Sequence, residues 1–311
     1  MSHLRKISGV LTGLLMACSA HAGKLSIVID DFGYRPAQEN QVLRMPQAVS
    51  VAVLPNATHA HEMAVKAHQS GHEVLIHLPM APLSKQPLEK DTLTPEMSSA
   101  EVERIIREAV AKVPYAVGLN NHMGSAMTSS LSGMQKVMQV LNHYNFYFLD
   151  SMTIGNSQAT RAAQGTRVNV LKRRVFLDDT QNEADIRTQF MRAVHLAQRD
   201  GSAIAIGHPH PTTVKVLQQM LPTLPADITL VRPSQLLNEP QNINHKPLPV
   251  ESKPATPRNP FRGAQSCPVN VLPVPAARAL GVVADSISDS AGVRYIKTNF
   301  SGLKLNFGKT P

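Results

Sequence analysis

The chain has 311 residues, 42% of them hydrophobic and 17% charged, with a formal net charge of +9. That charge is uneven: 240–311 holds nine Lys/Arg against three Asp/Glu, Arg5 and Lys6 precede residue 23, and 23–239 holds 20 basic against 19 acidic residues. A near-neutral central part excludes the basic folded face that nucleic-acid binding requires, and two cysteines, Cys18 and Cys267, exclude a disulfide-stapled scaffold.

At the N-terminus, Arg5-Lys6 form a basic n-region, followed by an apolar stretch from Ile7 to Cys18 that is short for a membrane span. Ala20-His21-Ala22 then fits an A-x-A cleavage site. The expectation is a secretory signal peptide over 1–22, cleaved after Ala22, and a soluble periplasmic protein; an uncleaved membrane anchor is the other reading.

From 23 to 239, strand and helix signals alternate. Strands are predicted at 25–29, 49–54, 73–77, 116–119, 146–149, 203–206 and 228–231, with a weaker one at 174–177. These are near-continuous apolar runs, which indicate strands buried on both faces of a parallel sheet. Between them, Thr58 to Ser70 has a helical pattern that stops at Gly71. Ser98-Ser-Ala-Glu101 is a capping box ahead of Val102, Ile105, Ile106, Ala109 and Val113 at helical spacing. Further helices are expected over 131–143, 183–199 and 212–221. About seven such units favour a closed or nearly closed barrel over an open doubly wound sheet. After Pro233 the pattern stops, and 240–311 contains ten of the 23 prolines. That tail reads as mostly disordered, with a weak strand-like stretch over 293–307. Its charge suits contact with anionic envelope surfaces, against the plainer reading of a solvated tail.

The chemistry lies where the apolar runs end. The run 25–29 stops at Asp30-Asp31, 74–76 at His77, and 146–149 at Asp150; 116–119 leads to His122 and 203–206 to His208. In parallel folds the carboxyl ends of the strands share one face, and that face carries the active site. Five strands therefore deliver carboxylate or imidazole to one place, as in a metal-dependent hydrolase. Taken alone, Asp30-Asp31 also suits a turn or a helix cap. His59, His61 and His68 on the first predicted helix read as surface residues.

Ile27-Val-Ile-Asp-Asp-Phe-Gly33 resembles the first motif of the NodB-homology polysaccharide deacetylases. Gly71-His-Glu-Val-Leu-Ile-His77 is similar to the approach to their His-x-x-x-His motif, and Gly201–His208 to their last motif. With Asn120-Asn-His-Met-Gly-Ser125 and His208-Pro-His210, the resemblance is to the divergent polysaccharide deacetylase family, the YibQ-like proteins, over about 25 to 239. It implies an α/β fold, a NodB-like distorted (β/α) barrel of about seven parallel strands. It further implies Asp30 as general base, Asp31 and His77 as metal ligands, and His208 as general acid. The second ligand histidine would stand at position 81, where this sequence has Ala81. His122 is the candidate replacement, completing an Asp31, His77, His122 set suited to Zn²⁺ with a catalytic water.

The family's arginine motif is replaced by the 120–125 hexapeptide, which leaves the residue that orients the base unidentified. Ser125, Asp150 and His210 are candidates for contacting substrate or supporting the site. Asp178-Asp179 ends the 174–177 run and could line the same mouth, but Asp-Asp-Thr also suits a cap for the helix from 183, and the pair is left outside the catalytic set. The resulting expectation is an exported, metal-dependent carbohydrate deacetylase acting on amide C–N bonds of an acetylated cell-envelope polysaccharide or peptidoglycan. With no tryptophan and 4% aromatic residues, the chain offers little sugar-stacking surface. The alternative is a non-catalytic deacetylase fold that binds a glycan or envelope partner: Ala81 and the absent arginine motif favour it, while retention of Asp30, Asp31, His77 and His208 opposes it. An open-sheet phosphoesterase with two metals is a third reading.

Overall fold

A computed structural model describes residues 22–238. The predicted leader, apart from Ala22, lies outside the described residues, as do the tail 240–311 and its strand-like stretch. The chain divides into two units, Met1–Asn244 and His245–Pro311, and the described residues belong to the first. Among them, no helix is long and apolar enough to cross a membrane.

The order of elements is β1 (Gly23–Phe32), α1 (Pro36–Val42), β2 (Ser50–Val53), α2 (Ala60–Gln69), β3 (Val74–Met80), α3 (Ser99–Lys112) and β4 (Ala116–Met123). Then come α4 (Ser125–Ser129), α5 (Leu131–Tyr144), β5 (Tyr147–Asp150), α6 (Ala159–Ala162), β6 (Val170–Lys172) and β7 (Val175–Phe176). The last elements are α7 (Glu183–Asp200), β8 (Ser202–Gly207), α8 (Pro211–Met220) and β9 (Ile228–Leu230), with 3-10 turns at Leu221–Thr223 and Pro233–Leu236.

Every strand pairing is parallel. The sheet order is β6-β5-β4-β3-β2-β1-β8-β7, with β9 beside β1. Its two edge strands, β6 and β7, are consecutive in the chain, separated only by Arg173 and Arg174. The Arg173 N–H donates to Asp150 O on one side of the seam (2.9 Å), and the Arg174 N–H donates to Ile204 O on the other (2.8 Å). One extended segment, 170–176, therefore meets both edges of the curled sheet, and the expected parallel barrel is what the residues form.

Strand alternation sorts the side chains into two layers. Leu25, Ile27 and Ile29 of β1 face the helices with Ile76, Phe148 and the apolar faces of α2, α3, α5 and α7. Val28, Leu75, Leu149, Leu171 and Ile206 face inward and fill the interior. The amino end of the barrel is plugged by a polar cluster. There the Tyr147 hydroxyl donates to Glu73 (2.7 Å), and the Ser234 hydroxyl donates to the same carboxylate. Gly118 makes room for this ring, since a Cβ there would lie 2.8 Å from Tyr147 carbons.

Two expectations need correction. Strands predicted to end at 77 and 119 run on to Met80 and Met123, because β3 and β4 stay paired from His77↔Asn120 to Met80↔Met123. Pro79, normally a strand breaker, hides this extension. In addition α1, α4, α6 and β6 went unpredicted, being seven, five, four and three residues long, too short to show a period.

Candidate metal and acid–base site

The inward face of each strand carries the apolar layer and then, toward the carboxyl end, the polar one. On β1, Val28 is followed by Asp30, on β3 Leu75 by His77, on β4 Gly118 by Asn120 and His122, and on β8 Ile206 by His208. The period of two thus brings these side chains into one mouth. Asp31 should point the opposite way from Asp30. It does not, because the β1–β2 register shifts between Ile29 and Phe32 and Asp31 takes a left-handed backbone, φ 57°. Such a conformation is strained for a non-glycine residue and tends to occur at functional sites.

The result is a triangle of donor atoms. Asp31 Oδ1 lies 3.2 Å from His77 Nε2 and 3.1 Å from His122 Nδ1, and the two ring nitrogens are 3.0 Å apart. Asp31 Oδ1 is buried and has no hydrogen-bond partner, as expected of an atom meant for a cation. Around zinc at bond lengths of ~2.0–2.2 Å, tetrahedral ligands stand about 3.4 Å apart, close to these edges. These three residues form a group able to hold one metal ion. Its open side faces solvent, with the Asp31 side chain 35% exposed and His77 3%. His77 and His122 outweigh the burial of Asp31 and hold its carboxyl well below the usual range. His122 turns its other nitrogen toward Glu89 Oε1, 3.7 Å away.

His122, from β4, thus supplies the second ring nitrogen of the triangle. Ala81 serves the backbone instead: its N–H donates to Leu93 O (2.8 Å), and its carbonyl accepts from Ala126 and Met127 (3.0 and 3.1 Å).

Beside the triangle, Asp30 is fully buried, which pushes its carboxyl up from the ordinary range. Its Oδ1 accepts from Asn120 Nδ2 (2.8 Å), and Asn120 Oδ1 meets His77 Nδ1 at 2.8 Å. His208 follows β8, which lies beside β1. Asp178 Oδ1 lies 2.9 Å from its Nδ1, while Asp178 Oδ2 accepts the His208 N–H and the Thr213 hydroxyl, both at 2.7 Å. Burial opposes the charge of this imidazole, but Asp178 prevails and pushes it up to about 9. Asp178 therefore belongs to the site, which corrects its reading as a helix cap. The cap of α7 is Asn182, whose side chain accepts from Asp185 N.

The remaining candidates lie around this centre. His210 Nδ1 accepts from Arg35 Nη1 (2.8 Å), and its Nε2 is 3.0 Å from the Gln181 carboxamide. Asp150 closes its own loop, accepting from the Met152 N–H (2.8 Å) and the Ser157 hydroxyl (2.6 Å). Ser125 Oγ accepts from the Leu83 N–H (2.8 Å) and ties the 81–98 loop to α4. Arg173, at the seam, is a half-buried cation whose Nε and Nη2 donate to the carbonyls of Ser151 and Met152 (2.6 and 2.8 Å). Burial pulls its guanidinium down to about 10, against the pull of Asp179, Asp150 and Asp30. His61 and His68 are exposed, and His59 precedes α2, bonded to Glu62.

The family model of the divergent polysaccharide deacetylases matches residues 27–237. The chain belongs to this family. It is 65% identical to the uncharacterised protein YibQ of Escherichia coli (strain K12) over 300 residues, which cover 96% of this chain and 92% of that protein. It is 42% identical over 236 residues to an uncharacterised Haemophilus influenzae protein, covering 76% and 84% of the two chains. Among solved structures, an uncharacterised protein from Agrobacterium tumefaciens C58 superposes with a TM-score of 0.65 at 20% identity, over 70% of this chain and 90% of that one. At that identity the likeness concerns the fold. In this member of the family, Asn120, Glu89 and Asp178 are the residues near the triangle and His208 whose roles the sequence left unassigned. The available signal for Asn120 was its place two residues before His122, on the same strand face.

Proposed function

We propose that this protein is an exported, metal-dependent N-deacetylase acting on an acetylated cell-envelope polysaccharide or peptidoglycan, with Zn²⁺ as its metal. The observation that carries the proposal is the triangle of Asp31, His77 and His122 standing beside a buried acid, Asp30, and a charged pair, Asp178–His208. Three protein ligands with an open position are the pattern of a catalytic zinc site. The ion supplies Lewis-acid polarisation of the acyl carbonyl and a more acidic water.

The rest falls to the chain's own groups. Asp30, its basicity raised by burial, takes the proton of the attacking water as the new C–O bond forms. His208, held up to about 9 by Asp178, is protonated at neutral pH. It gives that proton to the amide nitrogen as the C–N bond breaks, releasing acetate and the amine. Tyr34, Leu83 and Leu88 are exposed on the loops that leave β1 and β3, and Met123 at the end of β4, and Tyr34 lies near Asp31 and Glu89. They offer sugar-binding surface that composition alone did not suggest. Export rests on the leader 1–22, and the basic tail 240–311 offers contact with anionic envelope surfaces.

The test is the metal content of the purified protein alongside His77→Ala, His122→Ala and Asp31→Ala, followed by acetate release from N-acetylated peptidoglycan. Near-stoichiometric zinc lost in all three variants, with acetate released by the wild type, is the expected result. A wild type that stays empty under added zinc and releases no acetate would leave the non-catalytic glycan-binding reading in its place.

A further inference from the structure

We propose that Asn120 is the positioning residue that joins the cation site to the base, one carboxamide holding His77 through Oδ1 and Asp30 through Nδ2. The strand containing Asn120 lacks the arginine motif that its family resemblance leads one to expect, so the base needs another partner. Asn120 is fully buried, sits opposite His77 in the β3–β4 register, and spans the gap between the two groups at 2.8 Å on either side.

The orientation of this amide follows from its surroundings. Turned over, it would set its oxygen against the Asp30 carboxylate, oxygen on oxygen, in a site without solvent. With Nδ2 toward Asp30, Oδ1 must accept, and the proton of His77 is therefore on Nδ1. Nε2 is then a bare lone pair directed at Asp31 and His122, the tautomer a metal ligand requires. The same contact fixes the carboxylate of Asp30 beside the cation site. A neutral amide thus serves two roles: it selects the histidine tautomer and orients the base.

Two substitutions separate these roles. Asn120→Asp keeps an acceptor for His77 but removes the donor to Asp30; Asn120→Leu removes both at similar volume. Three readouts apply: zinc affinity by competition with a chromophoric chelator, the ¹⁵N shifts of His77 in zinc-free protein at a pH where its ring is neutral, and hydrolysis of 4-nitrophenyl acetate by zinc-loaded protein. Asn120→Leu is expected to bind zinc about 10–100-fold more weakly and to show mixed His77 tautomers. Asn120→Asp is expected to bind zinc as the wild type does and keep the Nδ1–H tautomer, yet to hydrolyse the ester about 10²-fold more slowly.

Wild-type zinc affinity in Asn120→Leu, or a wild-type His77 protonated on Nε2, overturns the histidine role. A zinc-loaded Asn120→Asp protein as fast as the wild type overturns the role at Asp30. Only that second role rests on the hydrolase reading. A wild type that binds no zinc ends that reading, while the nitrogen shifts still decide the first.

Discussion

His208 and Asp178 show how a single contact sets a chemical role. Asp178 spends both carboxylate oxygens on the histidine and on Thr213, so the imidazole is both oriented and charged. Asp178→Asn should bring the titration of His208 down from about 9 toward the ordinary value of about 6.5, as followed by NMR in metal-free protein, while zinc binding is retained. Because its folded value is raised, His208 contributes stability that is fully present below about pH 6.5 and is lost as pH rises through about 9. In denaturant titrations the variant should lack that alkaline loss. In the proposed mechanism the same protonation would govern catalysis. Deacetylation by the wild type should fall on the alkaline side as His208 loses its proton, and in Asp178→Asn the fall should begin at lower pH.

At the scale of elements, the loop after β1 is held by one residue of α1. Glu39 Oε1 accepts three successive N–H groups, from Gly33, Tyr34 and Arg35, at 2.9, 3.0 and 2.6 Å. Bonds to a charged acceptor are worth about 1.5–3 kcal/mol each. Glu39→Ala should therefore cost at least about 2 kcal/mol in urea unfolding and weaken zinc binding by loosening Asp31. Asn182→Ala makes the contrast: loss of the α7 cap should cost about 1 kcal/mol and leave the His208 titration unchanged. Much of this level was legible in the sequence. The apolar runs located seven strands and the weaker β7, and their ends located Asp30, His77, His122 and His208. What stayed hidden was pairwise geometry. Asp178 could be read as a cap because Asn182 and Asp178 both precede α7. Asn120 looked like a neutral neighbour because its role depends on β3 lying alongside. The bulge that turns Asp31 inward has no signature in a run of apolar residues.

For the whole molecule, metal binding and folding stability are linked, because the triangle assembles only when β1, β3 and β4 are paired. Zinc at one hundred times its dissociation constant should stabilise the fold by about 2.7 kcal/mol, a rise in Tm of roughly 5–11 °C for a domain of this size. Scanning calorimetry with and without zinc checks this, and His77→Ala should abolish the rise. The pairing of β1 also sets the order in which the chain can close. Its strand neighbours are β2 and β9 on one side and β8 on the other, so residues 23–32 wait for residues 202–230 before both edges are covered. Contacts this distant in sequence slow folding, and an uncovered parallel edge invites pairing with other chains. A ribosome that has made the first 200 residues has produced every ligand of the metal triangle but neither the acid His208 nor a closed sheet. The nascent protein is thus built to stay open until its last strands emerge.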